Sequence, residues 1–355
     1  MLKAGVQRML LLGSQGQLGH QLSAAFAKAN WQVKALSRHD LDLANPDREA
    51  IISQWDRLLE LHEPDWIVNA AAYTAVDRAE KESELAMQVN AWFPGIMGQR
   101  SKGARLVHFS TDYVFDGQLD RPYQESDQPA PLNVYGLSKW RGEQALLEAQ
   151  ERALVIRTSW VVGAHGQNFV KTILRLACEQ DNLKVVSDQW GVPTPTSFLA
   201  EQLALVLSEH TRPITQAGDE AQAEPKQGDS HDLVQSWTTS SQSVNVHRRS
   251  GPNSTYGIYH LTPSGQTNWY AYAIHIIEQA RNYPSWANAI RIRTNHLSAV
   301  PSSAYPVDAK RPQNSRLDCM RWRIATGQSV LLPWEQALIP VLKAIFEAEP
   351  PASPM

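Results

Sequence analysis

Cysteine is nearly absent from this chain. Its 355 residues include two, Cys178 and Cys319, too few for a disulfide scaffold and set beside no metal-ligand spacing, so both read as buried, inert thiols. Neither sign of charge is in surplus: 33 Lys and Arg against 36 Asp and Glu leave a net charge of −3, which predicts no general attraction to nucleic acid or to an anionic membrane surface. No apolar run reaches the roughly 18 residues of a membrane-spanning helix. The N-terminus lacks a signal peptide's long apolar core and small-residue cleavage site, so the expectation is a cytoplasmic protein in which the Asn253-Ser254-Thr255 sequon carries no meaning. Eleven histidines form no pair at metal-site spacing; no metal site is expected, and Mg²⁺ is left open. No internal repeat stands out. What is present is an ordinary globular composition, 43% hydrophobic, long enough for one or two domains with a sizeable core.

Glycine is concentrated where it has a use. Residues 6 to 19 pass from an apolar run, Met9 to Leu12, to glycines at 13, 16 and 19, then to Leu18, Leu22 and Phe26 at helical spacing. The order is strand, tight turn, helix. Glycines let the backbone turn sharply and approach a pyrophosphate, and the free N–H groups and dipole of the helix favour its negative charge. The pattern is G-x-x-G-x-x-G, with Gln15 where the commoner dinucleotide fingerprint has its second glycine. The next strand, Trp31 to Leu36, ends in Ser37 and Arg38 rather than the acidic residue that grips a ribose 2′-hydroxyl, so NADPH is favoured over NADH. Arg38 either pairs with a 2′-phosphate or is a solvated surface charge. Asp42 in the following loop is placed to reach the adenosine half.

Further strand signals at Trp66 to Val68, Ala104 to Phe109 and Leu154 to Ile156 alternate with helical patterns, which predicts an α/β fold with a Rossmann-type, doubly wound parallel sheet. Ligands of such sheets lie beyond the carboxyl ends of the strands. There stand Asn69-Ala70-Ala71-Ala72, Ser110-Thr111-Asp112 and Thr158-Ser159-Trp160; the small alanines suit either a flat cofactor against backbone or simple tight packing. Tyr135 and Lys139 are four residues apart, one turn of a helix, so an ammonium can sit beside a phenol. A nearby positive charge lowers a tyrosine's pKa from its ordinary value near ~10 and suits it to act as a general acid. Alone, Y-x-x-x-K is equally the pattern of an exposed helix with an ordinary Tyr and Lys.

From about Thr211 to Ser254 the composition turns polar and poor in apolar residues, the signature of a flexible insertion. The expected layout is a Rossmann domain over 1–165 and a smaller C-terminal substrate-binding part over 166–348. Helix 196–210 packs back on the first domain, 211–254 is the insertion, and 349–355 is a frayed tail.

Taken together, Gly13-x-x-Gly16-Gln17-Leu18-Gly19, Val68 to Asp77, Ser110 to Gly117, Tyr135-x-x-x-Lys139, Arg157-Thr158-Ser159-Trp160-Val161, Asp188 to Thr194 and Arg311-Pro312-x-Asn314-Ser315-Arg316-Leu317 closely resemble the extended short-chain dehydrogenases that reduce dTDP-4-dehydrorhamnose. The likeness spans nearly everything except 211–254 and the tail. It implies NAD(P)H-dependent reduction of the 4-keto group of dTDP-4-dehydro-6-deoxy-L-mannose to dTDP-L-rhamnose, the donor for surface polysaccharide. Tyr135 would donate the proton, Lys139 would tune it and hold the nicotinamide ribose, and Thr111 would bond the substrate carbonyl. The family's glycine turn maps onto Gly13, Gly16 and Gly19, with Gln17 and Leu18 inside it, and Asp42, Leu43, Ala72, Tyr73 and Thr74 match cofactor-contacting positions. Ser37, Arg38 and Ala71 join them as cofactor candidates from their places at strand ends, while Asp112 and Trp160 match positions that meet the sugar nucleotide. Trp160 is alternatively plain core. Two other readings use the same motifs: a sugar-nucleotide epimerase or dehydratase that recycles its nicotinamide, and a non-catalytic NADP-binding subunit like the beta regulatory subunit of methionine adenosyltransferase. The expected partner is a small sugar nucleotide, with a homodimer left open.

Overall fold

The computed structural model describes residues 6–101, 103–209 and 256–348. The polar stretch 211–254 and the tail 349–355 lie outside the described residues. The chain opens with strand β1 (Arg8–Leu12), helix α1 (Gln17–Lys28), strand β2 (Gln32–Leu36), helix α2 (Arg48–His62) and strand β3 (Trp66–Asn69). Short helices α3 (Val76–Ala79) and α4 (Ser83–Met87) follow, and α4 runs through a π turn at Gln88–Trp92 into α5 (Phe93–Arg100). Then come β4 (Arg105–Thr111), α6 (Val134–Ala149) and β5 (Ala153–Thr158).

The second half carries β6 (Val161–Val162), α7 (Phe169–Glu179), β7 (Leu183–Val186), β8 (Trp190–Gly191), β9 (Thr194–Pro195) and α8 (Thr196–Glu209). After the undescribed stretch it continues with β10 (Gly257–His260), β11 (Thr267–Asn268), α9 (Trp269–Ala280), α10 (Pro284–Ala289), β12 (Leu297–Val300), α11 (Met320–Ala325) and α12 (Trp334–Phe346).

Strands β2, β1, β3, β4, β5 and β10, in that spatial order, form one parallel six-stranded sheet among the described residues. The chain moves outward from β1 to β2 and then crosses to β3 on the other side, so the order reverses about β1. This switch point opens a crevice beyond the carboxyl ends of β1 and β3. Strands β1 and β3 read as continuous apolar runs because helices cover both faces of the sheet. On one face Leu18, Leu22 and Phe26 of α1 meet Phe198, Leu199 and Leu203 of α8. On the other, Trp55 of α2, Phe93 and Met97 of α5 and Leu146 of α6 share a core.

A separate core joins α7, α9 and α12 around Tyr272, Ile276, Leu338 and Leu342, edged by the parallel pair β7 and β12. The boundary at 165 does not divide the chain cleanly. Gly257–His260, which the sequence layout assigns to the substrate-binding part, pairs in parallel with β5 as the edge of the main sheet, and Trp322 of α11 is buried in the α1 and α8 core. A strand of four residues has no periodicity by which to announce which sheet it joins; the exposed edge of β5 decides it.

Candidate active site

The glycine turn is built so that side chains are excluded. Gly13 has φ +77°, and a Cβ there would lie 2.6 Å from the backbone nitrogen of Ala71; a Cβ on Gly19 would lie 2.1 Å from the Gly13 carbonyl oxygen. The turn therefore lies directly against the alanine segment after β3. Ser14 donates its N–H and its hydroxyl to the Leu36 carbonyl, at 3.2 and 2.9 Å, tying the turn to β2. Helix α1 begins at Gly16 with no side-chain cap and no acidic residue in its first turn. A cradle bare of side chains at a positive helix end fits a dinucleotide's pyrophosphate. The Gln17 side chain turns elsewhere: its Oε1 accepts from the Gly163 N–H at 2.9 Å and from Asn168 Nδ2 at 3.0 Å. Leu18 is core.

At the end of β2 the premise of an absent carboxylate fails. Asp40 closes a turn in which its own N–H bonds the Ser37 carbonyl at 3.1 Å, and its Oδ2 accepts both the N–H and the hydroxyl of Ser37, at 2.8 and 2.7 Å. Arg38 and Asp42 are exposed, and Leu43 is buried. Beyond β3, Ala71, Ala72 and Tyr73 are half-buried and Thr74 is exposed. Asn90, buried in the π turn, holds this segment: its Oδ1 accepts the Tyr73 N–H at 2.8 Å, and its Nδ2 donates to the Tyr73 carbonyl at 2.9 Å and to Ser138 Oγ at 3.0 Å.

Helix α6 starts at the capping residue Asn133, whose side chain accepts the Gly136 N–H at 2.8 Å. This sets Tyr135 in the first turn and Lys139 one turn on. Thr111, at the end of β4, sets its hydroxyl beside the Tyr135 phenol, and the ring of Tyr113 meets that of Tyr135 edge-on at 5.7 Å. The expected lowering of Tyr135 by Lys139 is not what the geometry produces. Burial pushes the phenol up to about 12, opposed by the neighbouring Thr111 hydroxyl and aided by the charge of Asp112. Lys139 is instead engaged with β4: its Nζ donates to the Phe109 carbonyl at 2.7 Å and lies 3.3 Å from His108 Nε2. Burial brings Lys139 down to about 8, with Glu143 acting against it. His108, held well below its ordinary value by burial and by Lys139, has its Nδ1 3.1 Å from Asn69 Nδ2.

Thr111 and Asp112 are buried. Thr111 donates to Asp112 Oδ1 at 3.1 Å, Ser315 lies beside the same carboxyl, and Asp112 Oδ2 has no hydrogen-bond partner among the described residues. Burial pushes Asp112 up to about 7, against the pull of the Ser315 and Thr111 hydroxyls. Trp160, just past β5, sits at φ +44°, a left-handed conformation that a bulky residue adopts only when its surroundings impose it. Its ring stacks on Trp269 at 3.6 Å, and Gly191 makes room for it, since a Cβ there would lie 2.5 Å away. Half-buried and packed on the rim of the second core, Trp160 is not plain core. Trp190 exchanges backbone bonds of 2.7 Å with Gln313 and Ser315, which links the Trp160 corner to the Asp112 cluster.

Gly13 and Ala71, and then Thr111, Asp112, Tyr135 and Lys139, are thus brought together as expected. Asp40, Asn90 and His108 were not singled out from the sequence, and Ser315 appeared there only within a family motif, with no role assigned. A signal existed for His108, a polar residue inside the buried run Leu106 to Phe109; for Asn90, whose role depends on a π turn, there was none.

A parallel sheet with a glycine cradle at its switch point and a Thr, Tyr and Lys group at its carboxyl edge defines the extended short-chain dehydrogenase class. The particular family follows from comparison: the chain belongs to the family described as RmlD substrate binding domain, whose model matches residues 7–218 and 238–346. A dTDP-4-dehydrorhamnose reductase of Escherichia coli (strain K12) is 36% identical over 345 residues, 95% of this chain and 98% of that protein. One from Burkholderia thailandensis is 35% identical over 336 residues, 91% of this chain and 98% of that protein. A crystal structure of a dTDP-4-dehydrorhamnose reductase from Bacillus anthracis in complex with NADP matches with a TM-score of 0.74 at 29% identity, covering 96% of this chain and 99% of that one.

Proposed function

We propose that this protein is a dTDP-4-dehydrorhamnose reductase, which uses NADPH or NADH to reduce the 4-keto group of dTDP-4-dehydro-6-deoxy-L-mannose to dTDP-L-rhamnose. The observation that carries the reading is that Thr111 lies beside the Tyr135 phenol, with Lys139 one helical turn on and anchored to the Phe109 carbonyl of the same strand, in a fold that also holds the glycine cradle. The family membership and the relatives' names support it. When bound, the nicotinamide supplies the hydride.

The chain's own task is to hold the sugar's carbonyl, deliver one proton and exclude water. Tyr135 gives its phenolic proton to the forming alkoxide, and Thr111, beside that phenol, steadies the same oxygen. Lys139, fixed by the Phe109 carbonyl, presents its remaining donors to a ribose. Asp112 and Trp160 receive the sugar nucleotide, and Gly13, Gly16, Gly19 and Ala71 to Thr74 hold the cofactor. The cofactor part centres on residues 7–165, and the substrate part on the core of α7, α9 and α12. The reading places the reaction in the cytoplasm, serving surface polysaccharide; no helix among the described residues is long and apolar enough to cross a membrane.

The test is purified protein with keto sugar and each reduced cofactor, in wild type and Tyr135→Phe. The phenylalanine variant should lose ~10² to 10⁴ in rate with cofactor affinity intact. Near-wild-type turnover in the variant overturns the mechanism. Wild type that consumes no cofactor overturns the reductase, in favour of an epimerase if the sugar isomerises and of a binding subunit if it does not.

A further inference from the structure

We infer that Asp40 reads the 2′ position of the cofactor's adenosine ribose, favouring NADH and opposing the 2′-phosphate of NADPH. The inference rests on the cofactor site proposed above. In doubly wound sheets the residue ending the second strand meets that ribose, and a carboxylate there accepts the 2′-hydroxyl. Here that position is Ser37, whose N–H and hydroxyl are both given to Asp40 Oδ2. Ser37 therefore has no hydroxyl proton left for a phosphate, and the group it displays is the carboxylate of a residue three positions on.

The carboxylate is fixed rather than wandering. Two bonds from Ser37 and the turn bonds of Asp40 and Leu41 to the Ser37 carbonyl, both 3.1 Å, hold it half-buried at the strand end. The Ser37 bonds hold Asp40 below its ordinary carboxylate range, so it carries its charge at neutral pH. Among the described residues Oδ1 pairs only with the Lys34 ammonium, at 3.6 Å, and a carboxylate oxygen accepts two hydrogen bonds, which leaves capacity for a ribose hydroxyl. The other charges near this corner are Lys34, the exposed Arg38 and the exposed Asp42, whose Oδ1 already accepts the Ala44 N–H at 3.0 Å. The cations leave NADPH usable; the charge held in place by hydrogen bonds is negative.

Asp40→Asn tests this with little change in shape, because an Asn side-chain oxygen still accepts from Ser37. Dissociation constants for NADPH and NADH, measured by calorimetry without sugar, should show the NADPH to NADH preference rising about ten-fold over wild type, from tighter NADPH, weaker NADH or both. The kcat/KM ratio should move the same way. Asp40→Ser is the second variant, neutral and short, and should shift the preference in the same direction if the asparagine form is poorly folded. An unchanged preference overturns the inference, as does an equal loss of both affinities, which would mean that Asp40 only closes the turn. Failure of wild type to bind either nucleotide would instead overturn the proposed cofactor site, so the two failures are distinct.

Discussion

At the residue scale, burial rather than pairing sets the protonation of the active-site group. Asp112, ordinarily near 3.8, is pushed up to about 7. Its buried charged form costs nothing below pH ~3, where the carboxyl is protonated in folded and unfolded chains alike; the cost grows as pH rises above the ordinary value and is fully present above about 7. Asp112→Asn should therefore stabilise the protein above pH 7, by up to ~4 kcal/mol, and give no gain at pH ~3. Urea midpoints at the two pH values decide this, and equal effects at both would mean the carboxyl is not raised. Lys139 runs the other way: its ammonium is present below about 8 and lost above it. The wild-type rate should fall as pH rises through about 8, and Lys139→Met should remove that limb and weaken cofactor binding. A limb retained in Lys139→Met assigns it to another group. Tyr135 and Lys139 were evident as a pair from their spacing, but the direction of their perturbation was not, because desolvation depends on everything packed around them.

At the scale of elements, α6 is pressed onto its neighbours at two glycines. A Cβ on Gly136 would lie 2.1 Å from the Tyr113 carbonyl, and one on Gly142 would lie 1.9 Å from that of Asn90. In a free helix, replacing Gly by Ala stabilises by about 1 kcal/mol. Here the sign should reverse: Gly142→Ala should lower stability by ~1–3 kcal/mol as α6 is forced off the π turn, read as a fall in Tm. A rise in Tm would show that the helix has room. The same shift moves Asn90, and with it the segment after β3. Helix α1 was readable from Leu18, Leu22 and Phe26 because its face is one continuous stripe. The π turn was not, since its extra residue is stabilised by what Asn90 grips.

For the whole molecule, the segment 308–316 straps the two parts together across the crevice. Arg311 pairs with Asp77 at 2.7 Å, Asp77 also accepts the Ala309 N–H, and Asn314 donates to the Leu119 and Arg121 carbonyls. Pro312 closes over Gly117, and Ser315 ends the strap on Asp112. Arg311→Ala should raise KM for the keto sugar about ten-fold, the loss of one charge-assisted pair, while leaving cofactor dissociation constants near wild type. If both rise together, the strap supports the fold rather than the substrate side.

The local chemistry of this protein was determined by sequence alone: the strand, turn and helix of the glycine cradle, the β and α alternation, the spacing of Tyr135 and Lys139, and the motifs that mark the family. Each is a pattern within a few residues, where backbone sterics and helical or strand periodicity act directly. Tertiary structure decided the rest. It set Gly257–His260 on the edge of β5, turned Trp160 into a left-handed corner against Trp269, placed His108 behind Lys139 and left one oxygen of Asp112 without a partner among the described residues. It also folded Asp40 back to the end of β2, where the sequence shows only Ser37 and Arg38. These depend on contacts between segments far apart in the chain, or on which donors a turn leaves free, and burial strengthens or reverses what the same residues would do in water.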